Sequence, residues 1–359
     1  MAIEHDFPTN RTALIRSLFP SGVPQLWVPT LVFYDEAGRI DRERQFAHLA
    51  FMAPYLKGYL VPGSTGDGWD MTDGEAIAAL ESVIPFALKQ GLDLIVGILR
   101  PTPDFVLALL EKVLDHLRSR AGTSSLVEAF AAARVRGLTI SAPTADPPLS
   151  QAAIASALTP IFRLGLPIAL YQLPQVTGNT MMPELVADLA EEFPNLILFK
   201  DSSGTDEVAL SGMMPLDVAL LRGAEGGYAQ WSRAHGGPYD GFLLSSGNSF
   251  PAQIAGILDD LQSGRVVEAE RCSAAVSAAI ADAFAAVIEV RQGNAFTNAN
   301  KALSQVMAYG DQALKAPPPR LYGGGHLPRS VLEAVKSSLA HHGLSPARGY
   351  FEHQFRSSP

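Results

Sequence analysis

Eight short runs rich in valine, isoleucine and leucine punctuate the first 244 residues of this 359-residue chain, with longer stretches of helical spacing between them. The runs are Leu26–Phe33, Gly58–Val61, Leu92–Ile98, Gly137–Ser141, Pro167–Leu173, Leu196–Lys200, Val218–Arg222 and Gly241–Leu244. They lack the alternation of a half-solvated strand, so each is expected to be buried on both faces, as in a parallel sheet. Helical patterns fill the gaps at Asp41–Ala53, Thr72–Lys89, Pro103–Arg120, Ser150–Phe162, Met182–Phe193 and Asp206–Met213, with a shorter one at Tyr228–His235. Eight such units in sequence predict a (β/α)8 TIM barrel. An open doubly wound sheet would carry a glycine-rich dinucleotide loop after its first strand, and Pro29-Thr30-Leu31-Val32 is followed by none.

Beyond Gly247 the pattern changes to alanine-rich amphipathic helices at Ala252–Ser263, Val266–Val290 and Thr297–Tyr309. A proline- and glycine-rich stretch, Pro317 to Gly325, then precedes a last helix over Ser330–His341. The expected organisation is an N-terminal extension (1–23), a barrel (24–250) and a C-terminal helical extension packed on it (251–350). The segment Ala121–Arg136 reads as an insertion in which Ser124 or Ser125 caps a short helix before the fourth strand.

Composition narrows the function. A net charge of −9 without a basic cluster argues against nucleic acid. One cysteine, Cys272, precludes an internal disulfide and suits a reducing compartment. The N-terminus mixes Glu4, Asp6, Arg11 and Arg16 without a sustained apolar core, and no apolar run reaches the roughly 18 residues of a membrane span. The expectation is a cytoplasmic protein.

The fold places functional residues just after the strands, at their carboxyl ends. Lys200 is the one lysine of seven that closes a strand; the other six are read as solvated surface. An amine brought there from a buried strand is poorly solvated, which favours its neutral, nucleophilic form. After the second strand, Gly63-Ser64-Thr65-Gly66-Asp67 sets two hydroxyl residues between glycines, a compact cradle for a carboxylate. Tyr171, ending the fifth strand, can relay a proton if its hydroxyl reaches the reacting atoms. Gly223 and its neighbours after strand seven, and Ser245, Ser246 and Asn248 after strand eight, are expected to shape the pocket for the distal end of a substrate.

These segments resemble, in order, the signature segments of the dihydrodipicolinate synthase / N-acetylneuraminate lyase family of class I aldolases. The resemblance rests on Gly63–Asp67 followed by Glu75, on Tyr171-Gln172-Leu173-Pro174 with Thr177-Gly178, and on Phe199-Lys200-Asp201-Ser202-Ser203-Gly204. Pro29 to Asp41 and Gly241 to Pro251 resemble the family's first and last strands. The resemblance implies that Lys200 condenses with the ketone of pyruvate or another 2-oxo acid. It also implies that Ser64 and Thr65 hold the carboxylate, and that Tyr171 shuttles protons. It implies no metal or organic cofactor, and a homotetramer built from dimers; the alanine-rich helices are expected to leave apolar surface for such partners.

The chain also departs from the synthase branch. Val176 replaces an arginine that would grip a second carboxylate, and Ala142-Pro143-Thr144-Ala145-Asp146-Pro147 lacks the tyrosines of that branch's relay. Asp67 stands where the family usually has glutamate, with Trp69 close by. The leading expectation is a Schiff-base lyase that cleaves or forms a C–C bond with pyruvate as product or co-substrate. A dehydratase of 2-oxo-3-deoxy sugar acids would use the same imine. A non-catalytic binding or regulatory relative is the third reading.

Overall fold

The computed structural model describes residues 5–352. Among them, eight parallel strands close into a barrel in chain order. They are β1 (Leu26–Pro29), β2 (Gly58–Val61), β3 (Asp93–Gly97), β4 (Val135–Ser141), β5 (Ile168–Gln172), β6 (Leu196–Asp201), β7 (Ala219–Arg222) and β8 (Gly241–Leu243). Closure comes from β1 pairing with β8, with Leu26 opposite Phe242 and Trp27 opposite Leu243. The strands are buried on both faces, which is why their sequences do not alternate. The expected first strand stops early, at Pro29, because from Leu31 onward the chain leaves the sheet and its backbone bonds go to side chains. Leu31 N–H donates to Asn248 Oδ1 and Phe33 N–H to Gln45 Oε1.

The helices are α1 (Arg11–Leu18), α2 (Arg42–Met52), α3 (Asp73–Gln90), α4 (Pro103–Ala121), α5 (Leu126–Ala133), α6 (Gln151–Phe162), α7 (Pro174–Thr177) and α8 (Pro183–Glu192). They continue as α9 (Glu207–Leu210), α10 (Tyr228–Trp231), α11 (Pro251–Gln262), α12 (Val266–Ala286), α13 (Ala295–Tyr309) and α14 (Arg329–His341). Local chemistry explains several boundaries. Thr72 and Glu75 form a reciprocal capping box at the start of α3, and Ser125 caps α5, the short extra helix in the insertion. The helix expected at Asp206–Met213 shrinks to one turn, since Asp206 takes a left-handed conformation and spends its carboxylate on Arg222. The stretch Tyr228–His235 divides into α10 and a 3-10 turn. Helix α1 was not anticipated; its Arg11 is buried, donating to backbone carbonyls of Ala190 and Leu196 beneath β6.

The C-terminal helices pack on the barrel, and α13 departs furthest from expectation. Every residue from Thr297 to Tyr309 is buried within the chain, so this helix leaves no apolar face for a partner. It lies against the turn that follows β2, and it corrects the reading of Lys301 as solvated surface. Lys301 is 0% exposed, its Nζ 3.3 Å from Asp67 Oδ2 and 4.6 Å from the centroid of the Tyr34 ring. Tyr34 donates to the same carboxylate oxygen at 3.0 Å, and Lys301 also donates to the Arg320 carbonyl at 3.2 Å. Burial pushes the Lys301 amine down, with the Asp67 charge acting against it.

Because a buried ion pair is costly to break from one side, Lys301→Met should destabilise the protein by roughly 3–5 kcal/mol, leaving Asp67 charged and unpaired. Lys301→Met with Asp67→Asn should recover much of that loss. Urea unfolding checks both, and a single variant within about 1 kcal/mol of the parent would contradict the assignment.

Candidate active site

Parallel closure sets Lys200 and Tyr171 side by side, since they are register partners on β6 and β5. Lys200 is 4% exposed and Tyr171 3%. The Lys200 Nζ stands 4.0 Å above the centroid of the Tyr171 ring, so an aromatic face is the amine's immediate neighbour. Both line a cavity of about 370 Å³ at the carboxyl end of the barrel, together with Ser64, Thr65, Gly223 and Ser245. Gly63, also expected here, sits one step behind: a Cβ on it would lie 2.6 Å from Pro29 Cβ, so it permits the close passage of the Ser64–Thr65 turn against β1. A larger cavity, about 660 Å³, opens elsewhere, between Tyr34, Glu75 and Tyr322. It holds no lysine; Lys200 lies in the smaller one.

The Ser64–Gly66 segment is a single 3-10 turn closed by Asp67 in the left-handed region, φ 61°. Helix α13 holds it from behind. Thr297 Oγ1 donates to the Thr65 carbonyl at 2.9 Å and to that of Ser64 at 3.3 Å, while Lys301 holds Asp67. Trp69 Nε1 donates to Ser64 Oγ at 2.9 Å, which leaves the Ser64 proton to be given elsewhere. Asp67 therefore points into the core, away from the pocket wall. Glu75 likewise serves structure, accepting from Thr72 and from the Tyr322 hydroxyl.

Strand β7 supplies the opposite wall. Arg222 forms a two-pronged pair with Asp206 at 2.9 and 3.0 Å and donates to the carbonyls of Ala224 and Gly226, fixing the loop in between. That loop presents Glu225 to the cavity, where its carboxylate accepts from Ser245 Oγ (2.6 Å), the Ser246 N–H (2.9 Å) and the Tyr228 hydroxyl (2.8 Å). Beside Lys200, burial pushes the Asp201 carboxyl up, against bonds from Ser203; its backbone carbonyl accepts from the Gly223 and Ala224 N–H groups. Val176 joins an apolar cluster with Leu99, Tyr171, Leu173, Trp69 and Phe296. A charged second carboxylate would find no cation at that position.

Sequence reasoning missed the wall contributed by the C-terminal helices. Phe284 of α12 and Ala295 and Phe296 of α13 line the cavity. Their only sequence signal was helical amphipathicity, which says that a face is covered but not by what.

Gly223 has a definite steric role. A Cβ there would lie 2.6 Å from Lys200 Cε and 2.2 Å from Ser202 Oγ. Gly223→Ala should displace the amine and lower its reaction with a small carbonyl reagent about a hundredfold, since a 1 Å misplacement can cost that much. Circular dichroism would confirm an unchanged fold; a variant that reacts like the parent would show that the lysine does not depend on this gap.

The fold agrees with comparisons to known proteins. Residues 148–296 match the model of the dihydrodipicolinate synthetase family. A 4-hydroxy-tetrahydrodipicolinate synthase of Stenotrophomonas maltophilia (strain R551-3) is 29% identical over 208 residues, covering 55% of this chain; the chain spans 59% of that relative's length. Among solved structures, the 4-hydroxy-tetrahydrodipicolinate synthase of Methylacidiphilum fumariolicum SolV superposes with TM-score 0.68 at 16% identity, covering 89% of this chain and 96% of that one. A prophage protein of the dihydrodipicolinic acid synthase family from E. coli K12, in complex with pyruvate, gives 0.66 at 18% identity over 89% and 98% of the two chains. KD(P)GA from T. tenax gives 0.66 at 17% identity over 89% and 99%. At these identities the structures establish the (β/α)8 fold. The match to the dihydrodipicolinate synthetase family is carried by the stretch that holds Tyr171 and Lys200.

Proposed function

We propose that this protein is a lysine-imine lyase acting on 2-oxo acids. The observation that carries the reading is Lys200: a nearly inaccessible amine at the end of β6, over the Tyr171 ring, in a cavity shared with Ser64 and Thr65. In this reaction the Lys200 Nζ attacks the substrate ketone, and the carbinolamine loses its hydroxyl as water to leave an iminium. A C–C bond one carbon removed then breaks, its electron pair flowing into the iminium, while the departing fragment keeps the carbonyl formed when its hydroxyl gives up a proton. Protonation of the enamine and hydrolysis release pyruvate and restore the amine. Tyr171 carries protons for these steps, and the Ser64-Thr65 turn holds the carboxylate.

The wall beyond the amine favours one class of substrate. Gln175, Ser202, Ser203, Glu225 and Ser245 line it with hydrogen-bonding groups, and the carboxylate of Glu225 opposes a second anionic end. This supports a hydroxylated 2-oxo acid and argues against the synthase activity named for the curated relatives, consistent with Val176 in its apolar cluster. A dehydratase acting on 2-oxo-3-deoxy sugar acids through the same imine is the second reading, supported by the same polar wall.

Borohydride reduction with pyruvate should add the reduced adduct to the peptide containing Lys200, and Lys200→Ala should abolish it. Tyr171→Phe should still trap the adduct yet turn over about 10²–10⁴-fold more slowly on the best substrate of a 2-oxo-3-deoxy sugar acid panel. An adduct on another lysine, or none with any 2-oxo acid, would overturn the mechanism; turnover within about threefold of the parent would remove Tyr171 from the relay.

The same reading makes the protein a homo-oligomer working in the cytoplasm, where its lone thiol, Cys272, stays reduced. Side chains such as Phe46 and Phe105, 52% and 60% exposed, offer contact surface. Light scattering should give a multiple of the 38.2 kDa chain mass, and a single-chain mass at micromolar concentration would count against assembly.

A further inference from the structure

Ser64 is 5% exposed and lines the Lys200 cavity, and its hydroxyl is only half engaged. Its Oγ accepts from the Trp69 indole Nε1–H at 2.9 Å. Among the described residues that indole is the one hydrogen-bond partner this hydroxyl has. Trp69 does not itself line the cavity; it stands behind the turn, its ring packed against the cluster of Leu99, Tyr171 and Leu173.

The chemistry of the two groups sets the direction of this bond. An indole N–H can donate and never accept, so the Ser64 oxygen turns a lone pair to the ring and its own O–H away from it. No group of the chain takes that proton. A buried donor without an acceptor is an unfinished bond, and a carboxylate oxygen entering the cavity would finish it with the added strength of its charge.

We propose that Trp69 is a positioning residue that commits Ser64 to donate, so that the cavity selects ketones carrying a carboxylate over uncharged ones. The inference rests on the lysine-imine reading of the same cavity. Without the indole N–H, the Ser64 side chain is free to change rotamer, accepts as readily as it donates, and must be ordered again by each substrate. That cost falls on the carboxylate. A purely steric role would act differently: loosening the cluster that holds Tyr171 would disturb the neighbour of the Lys200 amine and weaken reaction with every carbonyl compound alike.

The backbone around Trp69 is held by bonds that do not involve the indole. Arg100 Nη1 donates to the Gly68 carbonyl at 3.0 Å, and the Asp70 and Met71 N–H groups donate to the Asp67 carbonyl at 3.0 and 3.1 Å. The Gly68 N–H donates to the Gly63 carbonyl at 3.0 Å, in a passage so close that a Cβ on Gly68 would lie 2.9 Å from that oxygen. Trp69→Phe therefore removes the donor and leaves the turn.

The test uses the full chain labelled with 15N-tryptophan, the Trp69 indole signal being the one of three lost in Trp69→Phe or Trp69→Leu. Ser64→Ala should speed exchange of that indole proton about fivefold or more. In Lys200→Ala, which forms no imine, pyruvate should still shift the Trp69 signal, and hydroxyacetone, a ketone without a carboxylate, should not. Borohydride trapping at Lys200 is then titrated with both compounds. Trp69→Phe should raise the pyruvate concentration for half-maximal trapping about fivefold and leave that for hydroxyacetone within about twofold. In a Ser64→Ala background the same substitution should change neither by more than about twofold, because the group it acts through is gone. Indole exchange in Ser64→Ala within about twofold of the parent overturns the proposal. So does an equal loss with both compounds, or a full further loss in the Ser64→Ala background; either makes Trp69 a packing residue. The two indole readouts need no imine, so a parent that traps neither compound removes the proposed function and leaves them to decide the role of Trp69.

Discussion

The pairing of β1 with β8 is the constraint on which the molecule depends. Only when the sheet closes do the carboxyl ends of all eight strands converge on one rim. Closure puts the Ser64–Thr65 turn, Tyr171, Lys200, Gly223 and Ser245 around one cavity, though they span β2 to β8 in the chain. The seam itself is held by more than strand bonds, because Asn248 ties Pro29 at the end of β1 to Ser245 just after β8.

The barrel rim is then braced from outside by polar groups that have left water. Arg222 with Asp206 fixes the loop bearing Glu225, and Lys301 with Asp67 fixes the turn bearing Ser64 and Thr65. Such pairs stabilise little compared with a well-packed apolar substitute, because their desolvation is expensive. Their value is geometric. A pair that is costly to break from one side holds a loop in one place, so the groups lining the cavity keep their positions.

Helix α13 links fold and site most tightly. It buries thirteen consecutive residues, supplies Phe296 to the cavity wall, and clamps the carbonyls of Ser64 and Thr65 through Thr297. The C-terminal segment then docks at the other end of the same helix, against Ala308. The appendage is therefore part of the barrel mouth, and a lesion there should read out at the cavity before it reads out in the fold.

How much was legible in the sequence divides along a physical line. The strands and most helices were readable, because burial on two faces and helical amphipathicity are one-dimensional periodicities. Lys200, Tyr171 and the Ser64-Thr65 turn could be singled out because a barrel presents the residues that end its strands, and a motif within one strand–turn unit is local. Lys301 was misjudged for the opposite reason. On a helix a lysine defaults to solvent, and only packing of α13 against the β2 turn brings it to Asp67, 234 residues away. His48, Asn248 and Tyr350 likewise carry no joint signal, since their contacts span 200 and 302 residues. The sequence by itself determined the barrel and the groups on its rim; which buried polar groups meet behind that rim was decided by the tertiary structure alone, because hydrogen bonds between distant segments leave no period in the chain.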